Sequence, residues 1–187
     1  HEELLLRMGE TPTTMRLEGS VRCAAWAAGQ FAVTRRVLGE ARLVTFADDQ
    51  LPGNSGSPLA ATDACVVGRP LVEPTEFGLA TVEGAAIVVS LLAPGTRHLV
   101  PTGIAPRDVR IAPLPKGWIV IWEDDDGLEA AIVDDEGAPR SYRLDSSGPR
   151  YGLATTDVGL GTSVCLASSA AQGMTFLSRV GPNATPG

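Results

Sequence analysis

Phe77-Gly78-Leu79-Ala80-Thr81 returns as Tyr151-Gly152-Leu153-Ala154-Thr155, 74 residues further on, and the chain keeps step after both copies. Ala86-Ile87-Val88-Val89-Ser90-Leu91 stands against Thr162-Ser163-Val164-Cys165-Leu166-Ala167, and His98-Leu99-Val100 against Leu177-Ser178-Arg179-Val180. These are short runs of branched and apolar residues, cut by Gly, Pro, Asp and Ser clusters, which is the punctuation of strands and turns. Two further units follow the same template. One is Trp118-Ile119-Val120-Ile121-Trp122, an acidic turn, Leu128-Glu129-Ala130-Ala131-Ile132-Val133 and Ser141-Tyr142-Arg143-Leu144. The other is Ala24-Ala25-Trp26-Ala27-Ala28-Gly29-Gln30-Phe31-Ala32-Val33-Thr34 followed by Ala41-Arg42-Leu43-Val44-Thr45-Phe46. Trp118 to Trp122 is apolar on both alternating faces, as a strand covered on both sides requires.

The units start near residues 23, 78, 118 and 151, at intervals of 55, 40 and 33. The long first interval contains a polar insertion over 47–60 that includes Gly53-Asn54-Ser55-Gly56-Ser57-Pro58. Without it the period settles near ~40 residues, the length of a propeller blade. One small sheet cannot bury both faces alone, so repetition implies neighbours packed face to face. The arrangement resembles the β-propeller repeat proteins over residues 20–182, through periodicity and strand order rather than a diagnostic motif. The fold expected is all-β and antiparallel, a small or partial β-propeller, with a β-sandwich and a β-trefoil as alternatives. The organisation expected is an N-terminal segment over 1–20, a β-repeat domain over 21–182 and a tail over 183–187. Within the first segment, His1 to Gly9 reads as a short helix stopped by Gly9. Thr13-Thr14-Met15-Arg16-Leu17-Glu18 reads as a strand that closes a ring against the last repeat, or else the chain leans on a partner.

The composition narrows the function. The chain has 187 residues, 44% hydrophobic and 20% charged, enough for one buried core and too apolar for wholesale disorder. Its net charge is −7, and its basic residues are fourteen Arg and the single Lys116, which argues against a phosphate-neutralising surface and so against nucleic acid as partner. No apolar run approaches the ~20 residues of a membrane-spanning helix. Cys23, Cys65 and Cys165 permit at most one bridge, and their apolar neighbours suggest buried thiols. Low lysine content and acidic charge lean toward an extracytoplasmic or bacterial envelope location.

Gly53-Asn54-Ser55-Gly56-Ser57-Pro58-Leu59 resembles the nucleophile segment of trypsin-like serine proteases, especially the glutamyl endopeptidases. That resemblance implies Ser55 as nucleophile and the Gly53 amide in the oxyanion hole, with His and Asp supplied from upstream. His1 is the only upstream histidine, and His98 lies downstream, so the base is missing from the expected order. A flexible loop of turn formers accounts for the same heptad. Glu123-Asp124-Asp125-Asp126-Gly127 and Asp134-Asp135-Glu136-Gly137 suggest a calcium site by composition. They sit at opposite ends of one expected strand, and each reads as a hairpin turn in which Asp caps the backbone and Gly takes positive φ. Glu123 and Glu129 read as solvated edges rather than a glycosidase pair. His98 reads as a surface imidazole, and Trp26, Trp118 and Trp122, at equivalent positions of the repeats, read as packing between units.

No complete catalytic, metal or cofactor set emerges, and none is expected. The function expected is a non-catalytic binding or scaffolding module whose partner is another protein, a neighbouring subunit or the remainder of a larger chain. Arg107, Arg110, Arg140, Arg143 and Arg150, interleaved with apolar positions, are the candidate interface anchors. The alternative is a hydrolase, either protease-like around Ser55 or a propeller glycosidase.

Overall fold

The computed structural model describes residues 2–8, 11–27, 29–47, 56–69, 76–92, 97–114, 117–125, 127–134, 139–144, 150–157, 162–169 and 175–180, with side chains between Glu18 and Ser141. All regular structure among them is antiparallel β, with no helix. The first sheet pairs β1 (Glu2–Met8) with β2 (Thr11–Leu17). The second runs β3 (Ser20–Ala27), β4 (Gln30–Val37), β5 (Glu40–Ala47), β6 (Ser57–Pro58). The third runs β7 (Ala64–Arg69), β8 (Glu76–Val82), β9 (Ala86–Leu91), β10 (Arg97–Pro101). The fourth runs β11 (Arg107–Leu114), β12 (Gly117–Asp124), β13 (Gly127–Val133), β14 (Arg140–Leu144). The fifth contains β15 (Arg150–Asp157), β16 (Thr162–Ser169) and β17 (Thr175–Val180). Among the described residues no strand pairing joins one sheet to another, so each sheet is open and no barrel is formed.

Every sheet is a meander in which strands adjacent in sequence pair with one another, and three of the hairpin turns are described at least in part. Leu38–Gly39 joins β4 to β5, Glu83–Ala85 joins β8 to β9, and the acidic turn after Asp124 joins β12 to β13. What stacks the sheets is apolar burial on both faces. Ala64, Val66 and Leu79 of the third sheet bury against Ala32 and Ala41 of the second. The opposite face of the third sheet, with Ala80, Val82, Ile87, Val89 and Val100, buries against Val109, Ile111, Val120 and Val133 of the fourth. Strand β12 serves both sides: Trp118, Val120 and Trp122 face the third sheet, and Ile119 and Ile121 enter a separate cluster with Leu128 and Ala130. The first strands of successive sheets lie beside one another, β3 by β7, β7 by β11 and β11 by β15.

The packing between the third and fourth sheets turns on one large ring. A Cβ added at Gly78 on β8 would come within 2.6 Å of the Trp118 ring, so only glycine leaves the space. The Arg69 guanidinium lies 4.3 Å from the centre of the same ring, a cation–π contact, and donates a hydrogen bond to the Gly117 carbonyl. Cys23 on β3 and Cys65 on β7 form a disulfide that ties two neighbouring first strands together.

Several expectations change. His1 to Gly9 is not a helix: Glu2–Met8 is strand β1, because pairing with the Thr-rich β2 overrides the helix propensity of Glu, Leu and Met. The strand expected to close a ring pairs with β1 instead. Phe77 stands on the second strand of its sheet and Tyr151 on the first strand of its own, so the two similar pentapeptides are not equivalent. Trp26 on a first strand is likewise not equivalent to Trp118 and Trp122 on a second. The sheets instead begin at Ser20, Ala64, Arg107 and Arg150, spacings of 44, 43 and 43 residues. Cys23 and Cys65 are bridged rather than free, and five sheets replace the two of a sandwich. The stretch 47–60 is therefore not an insertion but part of its repeat: Ser57–Pro58 is the outer strand along β5, and Ser55 lies outside the described residues.

Two substitutions test this packing. Gly78→Ala should destabilise the chain by about 1–3 kcal/mol through overlap with Trp118, read as a lower urea midpoint at an unchanged slope. Replacing both Cys23 and Cys65 by Ser should cost about 4 kcal/mol in the loop-entropy picture for a separation of 42 residues; unfolding of the wild type with and without reductant should reproduce the difference.

Candidate functional site

The best-defined polar assembly sits where the first strands begin. Two β-bulges build it. On β3, Val21 pairs with Arg35 and Cys23 with Thr34, which leaves Arg22 as the extra residue. On β11, Arg107 pairs with Glu123 and Arg110 with Ile121, so Asp108 and Val109 stand opposite Trp122 alone. A bulge re-aims the side chain it carries. Arg22 from the second sheet and Asp108 from the fourth thereby converge with Asp63, at the entry to β7 of the third.

Asp63 is buried and fully engaged. Arg22 donates to it from Nε at 2.9 Å and from Nη2 at 3.0 Å, a bidentate pair, and the Val109 amide donates to Oδ2 at 3.2 Å. The Asp63 carbonyl also accepts the Val82 amide at 2.9 Å. Arg22 Nη2 reaches Asp108 as well, and Arg110 Nη2 approaches the same carboxylate at 2.8 Å. Two arginines and two aspartates thus form a charge-balanced clasp across three sheets, beside the disulfide joining β3 and β7. Burial works against the charge on Arg22, but the hydrogen bonds and charges of Asp63 and Asp108 outweigh it, and its pKa rises. A raised pKa stabilises the fold at every pH below the ordinary arginine range, with loss only in strong alkali. A second buried arginine, Arg35 on β4, donates to the Glu18 carbonyl at 3.1 Å; burial and then the Arg42 charge lower its pKa.

The turns at this end belong to the same surface. The β4–β5, β8–β9 and β12–β13 hairpins and the loops entering β7 and β11 all open here, as antiparallel order requires. Both non-glycine residues with left-handed backbone among the described residues, Leu38 and Asp108, lie at this end. Leu38 and Ile104 are exposed apolar residues on it.

The expected arginine anchors are distributed over three strands. Arg107 and Arg110 stand on β11, Arg140 and Arg143 on β14, and Arg150 opens β15. Arg107 lies 2.9 Å from Asp125 across the hairpin, Arg110 belongs to the clasp, and Arg140 lies 3.9 Å from Asp134. The side chains of Arg143 and Arg150 are outside those described; in register, Arg143 faces Glu129. His98 stands on β10 of the third sheet, whereas Gly56–Leu59 follows the outer edge of the second. Among the described residues no group of three or more His, Cys, Asp and Glu side chains could hold a metal, and no helix is long and apolar enough to cross a membrane.

The clasp went unread in the sequence. Its residues are 41 and 45 positions apart, about one repeat each, but that spacing is informative only once the correct phase is known. No family model matches the chain, and no curated protein matches it.

Removing one member of the clasp should separate it from surface pairing. Asp63→Ala removes the bidentate partner of Arg22, which keeps Asp108, and leaves the Val109 amide without its acceptor, and should cost about 1.5–3 kcal/mol. Arg107→Ala breaks an exposed pair and should change stability by at most about 1 kcal/mol. Chemical denaturation of the two variants in parallel checks the contrast.

Proposed function

We propose that the chain is a β-repeat module of the propeller kind that binds another protein through the end of the stack where the first strands begin. The observation that carries this reading is the even spacing of sheets joined side by side at their first strands and pinned there by the clasp and the disulfide. Such a scaffold holds its turns in fixed relative positions, which is what a binding surface built from loops needs. The disulfide supports an oxidising, extracytoplasmic compartment, since such bridges are rare in the cytosol. Arg107, at this end and paired with Asp125 on the surface, can exchange that partner for a carboxylate of the bound protein.

The competing reading is a hydrolase around Ser55, favoured by the heptad Gly53 to Leu59 alone. A fluorophosphonate probe separates the two. The binding-module reading expects no labelling of Ser55; labelling lost in Ser55→Ala would replace it with the hydrolase reading.

A further inference from the structure

We draw no further inference here: the strongest candidate, the exposed patch of Ala24 and Trp26 on β3 at the edge of the second sheet, carries nothing because nothing in the structure shows what covers it.

Discussion

A sheet that is apolar on both faces must have a neighbour on each, and the third sheet imposes that requirement on the whole molecule. Its one face carries Ala64, Val66 and Leu79, its other Ala80, Val82, Ile87, Val89 and Val100. Residues this closely buried contribute roughly 1.5–3 kcal/mol each for the larger side chains, an amount that an isolated sheet would forfeit. The second and fourth sheets supply the cover, and each then presents a further apolar face of its own, with Val33, Val44 and Phe46 on one and Ile119, Ile121 and Leu128 on the other. Stacking therefore propagates from one sheet to the next. The local exception at Gly78 shows how specific the fit is, since one methyl group there would collide with Trp118.

Apolar faces fix which sheets touch but leave them free to slide, because dispersion is not directional. The clasp and the disulfide supply the direction. Arg22, Asp63 and Asp108 come from three sheets and meet only because β3 and β11 each carry an extra residue at the same level. Shifting either strand by one residue would leave a buried carboxylate without its guanidinium, at a cost of several kcal/mol. The bulges are thus registration devices, and their strain, including the left-handed backbone of Asp108, is compensated by bonds that exist in one alignment alone.

Strand character, hairpin turns and double-sided burial were legible because they are local. Trp118 to Trp122 announced its two covered faces by alternation, and the acidic turn after Asp124 announced a hairpin by composition. The phase of the repeat was not legible. Phe77-Gly78-Leu79-Ala80-Thr81 looks like Tyr151-Gly152-Leu153-Ala154-Thr155, yet Gly78 is small for the sake of Trp118, a demand arising between two particular sheets. Once the phase is misplaced, Cys23 and Cys65 cannot be recognised as occupying adjacent first strands, and neither can the clasp. The short helix expected at the N-terminus failed for a related reason: β1 is defined by its partner β2, and pairing is not written in either strand alone.

The two ends of the stack differ in how their irregularities are settled. At the first-strand end, the awkward backbone of Asp108 is compensated within the molecule by two guanidiniums. Leu38, at the same end and in the same unfavourable region, has no comparable compensation among the described residues, and its side chain stands wholly in solvent. Trp26, 55% exposed at the other end of β3, stands in register beside Phe31, whose ring stacks on Phe46 at 5.2 Å. Exposure alone therefore does not distinguish a working residue from an incidental one. What separates Leu38 from Trp26 is backbone: the leucine sits at positive φ in a two-residue turn, whereas the tryptophan stands on a paired strand beside an aromatic stack.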